Sequence, residues 1–322
     1  MKAIQVSKTG GPEALQYVDL PVPKPKPNEA LVKIESIGVN FIDVYFREGR
    51  YPAQTPFIVG REMAGTVTEV GSEVRDLQPG DRVAQTSVMG SYAEYQCVPE
   101  AQLVKVPDQI TSEQAAAVML QGATVHYLVR STYPLKSEDT LLLHAAAGGV
   151  GLLLAQFAKR IGARVVGTVS TEEKAKLARE AGVDDIILYT QQDFVAETKR
   201  LTGGKGVDVV YDGVGKTTFE GSLSVLKPRG YMVLFGASSG AVPPFDPIRL
   251  SQMGSLFLTR PNLVNYIATR EELQWRMTEV FNMMIAGDLK VHVGQRYKLS
   301  DAPQAHRDLE GRKTTGKVIL QP

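Results

Sequence analysis

Apolar and polar positions change rhythm once along the chain, near residue 112. Before that point the period is two. Residues 29–39, which end Ile37-Gly38-Val39, alternate apolar and polar side chains as a half-buried strand does. A Pro-rich stretch from Pro21 to Pro27 precedes them and predicts an extended connector. Further short strands are expected over Gly65–Gly71, at Arg82-Val83 after the turn Pro79-Gly80-Asp81, over Ser91–Tyr95 and over Leu103–Pro107. Several short strands punctuated by glycine and proline predict a barrel-like antiparallel domain.

Beyond residue 112 the pattern becomes helical and then alternates. Glu113–Met119 is Ala-rich and predicts one helix, and Thr124–Arg130 a second. From residue 140 apolar strands are expected at 140–145, 164–169, 185–188, 207–211 and 229–235. Helices fill the gaps, at about 149–161, 172–181, 192–201 and 216–226. Strand and helix in strict alternation predict a parallel sheet with right-handed crossovers. Gly254–Thr259 predicts one more strand, at an edge able to pair with another subunit. The tail, 262–322, predicts two helices, the first punctuated by Gly287, and two short strands that return to the first domain.

Composition narrows the picture without deciding it. The 322 residues suit two domains. With 43% hydrophobic and 22% charged residues the chain has ample material for folded cores. A net charge of +1 gives no general attraction to nucleic acid or to an anionic membrane, so neither is an expected partner. The single cysteine, Cys97, excludes an internal disulfide, suits a cytoplasmic location and reads as a core residue. No apolar run reaches the roughly 20 residues that span a bilayer. The opening Met1–Val6 reads as a strand and not as a signal peptide.

The sharpest local signal is Leu141–Leu143 running into His144-Ala145-Ala146-Ala147-Gly148-Gly149-Val150-Gly151. An apolar strand, a glycine-rich turn and a helix start are what a pyrophosphate needs, because bare backbone N–H groups and a helix N-terminus then face it. Aligned on G-x-G-x-x-G, the three positions are Ala146, Gly148 and Gly151, so the first glycine is replaced. The strand–turn–helix context sets this turn apart from an ordinary βα connection. An NAD-binding domain carries an acid about 20 residues past the turn, on the ribose 2′-hydroxyl. Here Arg164–Val169 ends on Ser170, with no carboxylate. Ser170, Lys174 and Tyr189 together suit the 2′-phosphate of NADPH. Singly, each has a plainer reading: Ser170 as a helix N-cap, Lys174 on a solvated helix face.

These residues, with others, carry a family resemblance. The chain resembles the zeta-crystallin type of quinone oxidoreductase, in the zinc-free branch of the medium-chain dehydrogenase/reductases. The shared segments are Gly38–Tyr45, Gly60–Val67, Pro79–Val83, Ala145–Gly151, Val210–Gly215, Phe235–Gly240, Thr259-Arg260-Pro261 and Gly316-Lys317. The resemblance implies an α/β protein with a GroES-like β-barrel domain over 1–123 and 265–322. It places a Rossmann domain, a doubly wound parallel sheet, over 124–264, and implies a homodimer. It implies that Asn40, Asp43, Tyr45 and Tyr51 line the nicotinamide site, with Thr124 and Tyr127 close by. Gly148, Gly149, Val150 and Gly151 would hold the pyrophosphate, and Ser170, Lys174 and Tyr189 the 2′-phosphate. Val214, Phe235, Gly236 and Ser238 would border the cofactor, with Lys317 reaching in from the tail.

The departures matter as much. Zinc alcohol dehydrogenases of this superfamily carry cysteine where Asn40 stands, histidine where Arg61 stands, and a lobe of four further cysteines. No metal is therefore expected. Without a Lewis acid to polarise a carbonyl, the fitting acceptors are already electrophilic. The expected activity is NADPH-dependent hydride transfer to a quinone, with Asn40 and Tyr51 as catalytic residues on the substrate oxygen. Asn40 can equally be a loop residue bonded to its own backbone, and Tyr45 and Tyr51 can be packing. Arg61 contacts substrate or serves a buried ion pair. His126 and His144 read as packed side chains. The alternatives are reduction of α,β-unsaturated ketones or aldehydes on the same fold, and an NADPH-binding RNA-associated or structural protein, which no basic or aromatic cluster favours.

Overall fold

The computed structural model describes every residue from Met1 to Pro322. The chain divides into two compact units. The first comprises Met1–Ala123, Ile267–Gly287 and Val291–Pro322. The second comprises Thr124–Tyr266 and Asp288–Lys290.

In the first unit the elements run β1 (Lys2–Val6), β2 (Gln16–Asp19), β3 (Glu29–Val39), α1 (Phe41–Arg47), β4 (Phe57–Ile58), β5 (Glu62–Val70), β6 (Arg82–Thr86), β7 (Tyr95–Pro99) and β8 (Val104–Lys105). Helix α2 (Ser112–Tyr127) then leads into the second unit. There β9 (Thr140–Leu143), α3 (Gly149–Ile161), β10 (Arg164–Val169), α4 (Glu172–Glu180), β11 (Asp185–Leu188), α5 (Phe194–Leu201) and β12 (Val207–Asp212) follow in turn. They continue with α6 (Phe219–Ser224), β13 (Leu226–Leu234), α7 (Ile248–Gln252), β14 (Phe257–Thr259) and α8 (Leu263–Tyr266). The tail adds α9 (Arg270–Ile285), β15 (Val293–Lys298), α10 (Ala302–Glu310) and β16 (Lys317–Gln321) to the first unit.

Strand β3 organises the first unit. It pairs antiparallel with β5, β7 and β16, the last bringing Val318–Leu320 against Ile37–Val39. The seven-stranded sheet runs β15-β16-β3-β5-β6-β8, with β7 on β3, and a three-stranded sheet runs β2-β1-β4. Both enclose a core that includes Ile4, Val32, Ile37, Met63, Val83, Tyr92, Val98 and Leu320. Antiparallel pairing with alternating inward side chains is what the period-two segments dictate. One expectation shifts: Ser91–Glu94 is bend and bridge, and the strand begins at Tyr95. Cys97 is half-buried on β7, between the buried Val98 and Gln96, and so is not a core residue. Burial still pushes its thiol up to about 11, which leaves it unreactive.

The second unit is a parallel sheet in the order β11-β10-β9-β12-β13-β14. The chain starts at β9, winds outward to β11, then returns to β12 and winds the other way. The order reverses between β9 and β12, and that is where such sheets open a crevice at their carboxyl ends. Buried Leu142, Val166, Val210, Phe219 and Met232 form its core. The expected strands and helices fall within a few residues of these bounds, although α6 is shorter than expected. The two helices expected over 113–130 are one, α2, extended by a wide turn through Thr132. Gly122 does not break it. A Cβ there would stand 2.8 Å from the Val118 side chain and 3.0 Å from Val280 of α9, so glycine serves close packing. From Ala115 to Ala123 the helix is buried on nearly every side, which removes the amphipathic stripe that marks a surface helix. The tail holds three helices where two were expected, the extra being the single turn α8.

Candidate functional site

The crest of the parallel sheet carries the glycine-rich turn. Gly148 is the extended N-cap of α3, and no side chain caps the helix. The N–H groups of its first turn therefore face outward without a protein acceptor, which is the donor set an anion needs. A Cβ on Gly151 would stand 2.8 Å from the Ala146 backbone, so the helix can sit this close only on glycine. The alanine at the first motif position has a physical account. The left-handed residue in the turn is Ala145, at φ 53°, and not Ala146. Ala146 points instead at β10, where the facing residue is Gly167, whose Cβ would lie 2.9 Å from that of Ala146. The missing glycine is made up on the neighbouring strand.

Ser170 and Tyr189 follow the ends of β10 and β11. Val169 pairs with Leu188 in register, so the two residues emerge side by side. The Thr190 hydroxyl donates to the Ser170 carbonyl at 2.9 Å, and Tyr189 is exposed. The N-cap of α4 is Thr171, whose hydroxyl accepts the Lys174 N–H, so Ser170 is not the cap. Lys174 lies in the first turn, half-buried, and Glu172 and Glu173 are exposed. No carboxylate stands at the β10 end.

Across the switch point, Asp212 ends β12 and ties down the next loop. Its Oδ1 accepts the N–H groups of Val214 and Gly215, at 2.7 and 3.0 Å. Its Oδ2 accepts the hydroxyls of Thr218 and Ser222. The Ser222 hydroxyl meets His144 Nε2 at 3.0 Å, and Thr168 meets His144 Nδ1 at the same distance. His144 is buried, and burial holds its pKa below the usual imidazole value. It is a packed side chain, as is His126 against Phe157. The loop after β13 lies against this one. Phe235 N–H donates to the Asp212 carbonyl at 2.9 Å, and Ser238 N–H to that of Gly213 at 3.2 Å. A Cβ on Gly236 would stand 2.8 Å from the Gly213 Cα. Tyr127 stacks on Tyr266, centroids 4.2 Å apart, and Thr124 is buried on α2.

The first unit brings Asn40, Asp43 and Lys317 together, with a residue the sequence reading did not select, Glu62. Asn40 caps α1, and Asp43 Oδ2 accepts its backbone N–H at 2.9 Å. The Asn40 carboxamide is engaged on both ends. Its Nδ2 donates to Glu62 Oε2 at 2.7 Å, and its Oδ1 accepts from Lys317 Nζ at 2.8 Å. Lys317 also pairs with Glu62, and Glu62 Oε1 accepts the Leu120 N–H at 2.6 Å. All are buried. A Cβ on Gly38 would overlap the Glu62 carboxylate, so this arrangement needs glycine there. The Asn40 carboxamide is thus tied to Glu62 and Lys317. Nothing local marked Glu62, whose partners Asn40 and Lys317 lie 22 and 255 positions away.

Tyr51 is half-buried and meets the rings of Tyr45 and Phe46 edge-on, at 5.5 and 5.6 Å. Tyr45 is buried, with the Arg50 guanidinium 5.5 Å from its ring. Arg61 forms no ion pair. Its guanidinium donates to the Ser87 carbonyl at 2.8 and 2.6 Å and lies over Phe46 at 5.5 Å. Desolvation lowers its pKa. No group of three or more His, Cys, Asp or Glu with metal-holding geometry occurs in the structure.

Residues 26–108 match the alcohol dehydrogenase GroES-like domain, and residues 149–282 match the zinc-binding dehydrogenase family. A quinone oxidoreductase of Pseudomonas aeruginosa is 47% identical over 100% of this chain and 99% of its own. A 2-haloacrylate reductase of a Burkholderia species is 39% identical over 99% of this chain and 98% of its own. The crystal structure of Escherichia coli quinone oxidoreductase complexed with NADPH superposes at a TM-score of 0.98, with 46% identity and 100% of both chains covered. With a GroES-like domain, a reversed parallel sheet and relatives matched end to end, the chain belongs to the zeta-crystallin type of quinone oxidoreductase, in the medium-chain dehydrogenase/reductase superfamily.

Proposed function

We propose that the protein reduces quinones with NADPH by hydride transfer, without a metal. The observation that carries this reading is the crest of the parallel sheet. It offers an uncapped, glycine-lined helix N-terminus beside a strand end that bears Ser170 where an acid would repel a 2′-phosphate. The NADPH complex of the Escherichia coli relative supports it. The residues present fit the cofactor's pyrophosphate: no side chain caps the first turn of α3, and glycine at 148 and 149 keeps that turn clear of side chains. When bound, NADPH supplies the hydride at its nicotinamide.

The chain's own residues bind and orient. Gly148, Gly149, Val150 and Gly151 hold the pyrophosphate through backbone N–H groups. Ser170, Lys174 and Tyr189 hold the 2′-phosphate. Val214, Phe235, Gly236 and Ser238 border the cofactor, and Thr124 and Tyr127 flank the nicotinamide. Asp43 and Tyr45 are assigned to cofactor binding as well. Tyr51 contacts the substrate oxygen and passes it a proton, the general-acid part. Asn40, which accepts from Lys317 Nζ at 2.8 Å, shares the substrate oxygen with Tyr51, and both Asn40 and Lys317 belong to the cofactor-binding set. A quinone takes one hydride and one proton to become the hydroquinone, so no Lewis acid is needed.

A second reading, reduction of α,β-unsaturated carbonyls, is favoured by the relative named as a 2-haloacrylate reductase. The homodimer belongs to the proposal too. Strand β14 is the sheet edge and exposes Phe257, which suits pairing with a second copy. No helix is long and apolar enough to cross a membrane. The single cysteine suits a reducing compartment, and we assign the cytoplasm.

The test follows nicotinamide absorbance with NADPH or NADH against para- and ortho-quinones and simple enones, with and without chelator. NADPH-dependent, chelator-insensitive turnover of quinones is expected. Turnover of enones alone moves the assignment to the second reading, and tight NADPH binding without turnover overturns both.

A further inference from the structure

The buried cluster of the first unit extends beyond Asn40, Glu62 and Lys317. On α1, Arg47 donates to both carboxylate oxygens of Glu310, at 2.8 and 3.0 Å, and stands 3.1 Å from His306 Nδ1. Tyr92 Oη lies 3.1 Å from His306 Nε2 and 3.1 Å from Asp43 Oδ2. Asp43 Oδ2 in turn takes the Asn40 N–H. Arg47, His306, Tyr92 and Asp43 are all fully buried. The chain has one direction. A guanidinium only donates, so His306 Nδ1 accepts. The neutral ring then carries its proton on Nε2 and donates it to Tyr92. Tyr92 has its own O–H left to give, and the receiver is Asp43.

We propose that Tyr92 and His306 are positioning residues: through this directed chain they hold Asp43 as the acceptor that fixes Asn40, and with it the Lys317–Glu62 pair. The assignment of those residues to a working site rests on the function proposed above. Tyr92 and His306 are fully buried and act through Asp43. Asp43 Oδ1 has no partner, so the two donors on Oδ2 are its direct support. The charged and titratable groups that act on it are Glu62 on β5, Arg61 beside β5, Lys317 on β16 and Tyr92 on the loop before β7, with His306 on α10 and Arg47 on α1 behind Tyr92. Burial pushes Asp43 up to about 7, and Glu62 pushes the same way. The Asn40 N–H, Lys317 and the Tyr92 hydroxyl pull it down. The other groups of the chain agree with that direction: desolvation takes His306 down to about 3, so it stays neutral, and raises Tyr92, so it keeps its proton.

Tyr92→Phe removes one donor and keeps the ring. Asp43 should then hold its proton to higher pH, and a protonated Asp43 grips Asn40 less firmly. The test uses the full chain with carbon-13-labelled aspartate carboxyls, the Asp43 signal being assigned with Asp43→Asn. It is paired with kcat/KM against pH for NADPH and 1,4-benzoquinone. The Asp43 midpoint is expected to rise by about one pH unit, a tenfold change in its proton equilibrium. The acid limb of kcat/KM should move with it, and activity should recover above that limb. An unmoved midpoint, or an equal loss of turnover at every pH, overturns the proposal. If the wild-type protein turns over no quinone, the functional reading fails while the carboxyl titration still decides the chain. If Tyr92→Phe does not fold, His306→Leu removes the donor behind Tyr92. A smaller midpoint shift in the same direction is then expected, and no shift overturns the proposal.

Discussion

Lys174 stands in the first turn of α4, capped by Thr171, beside the strand end that bears Ser170. A charge-assisted hydrogen bond contributes roughly 1.5–3 kcal/mol. Lys174→Ala is therefore expected to weaken NADPH binding about ten- to a hundredfold and NADH binding hardly at all, as read by fluorescence titration. A second prediction concerns acid stability. The folded-state pKa of Asp43 is raised from 3.8 to about 7. Its contribution to stability is present below 3.8 and lost as pH rises toward 7. His306 is lowered from 6.5 to about 3, so its contribution is present above 6.5 and lost as pH falls toward 3. Between about 4 and 6.5 the two slopes oppose each other. Asp43→Asn leaves the histidine slope alone. Its stability in urea should fall on acidification by up to about 1.4 kcal/mol per pH unit relative to wild type. Ser170, Lys174 and the glycine turn were legible in the sequence because they stand at the ends of strands that side-chain periodicity locates. His306 was not: its partner Arg47 is 259 positions away, and nothing local marks the pairing.

At the level of elements, alternation and turn chemistry located most strands and helices, because side-chain periodicity is set by backbone geometry. The misplacements have causes. Helix α2 is buried on nearly every side over 115–123, so no stripe announced its continuity. Gly122 accommodates Val280 of the distant helix α9, a demand no local reading contains. The contact between β3 and β5 is equally demanding. Gly38 faces Glu62, and an added Cβ would overlap the carboxylate and stand 2.6 Å from the Ala116 carbonyl. Gly38→Ala is expected to destabilise the protein by about 1–3 kcal/mol, measurable as a lower Tm, because backbone and a buried ion pair must both give way. A variant with an unchanged Tm would show that Glu62 moves freely.

For the molecule as a whole, the reversed strand order sets where chemistry can gather. Asp212, His144 and the two adjoining glycine loops all lie at the β9/β12 switch point, in a unit made of one continuous stretch but for Asp288–Lys290. The same sheet ends on β14 with Phe257 half-exposed and stacked on Tyr231, centroids 4.4 Å apart. If that edge joins two copies, Phe257→Lys should convert dimer to monomer in sedimentation velocity while leaving the far-UV spectrum intact, since a lysine on an edge strand opposes pairing. An unchanged dimer would place the interface elsewhere.

By itself the sequence determined the two-part architecture, the parallel sheet, the glycine-rich turn and the absence of an acid at the β10 end. Each follows from local rules: side-chain period, glycine's lack of a Cβ, and the repulsion of like charges. Tertiary structure alone decided what Asn40 does, because its carboxamide is placed by β5 and by β16, which the chain reaches 277 residues later. It alone made a directed chain of Arg47, His306, Tyr92 and Asp43. A buried polar group must find its partner wherever folding brings one, and sequence spacing does not encode that distance.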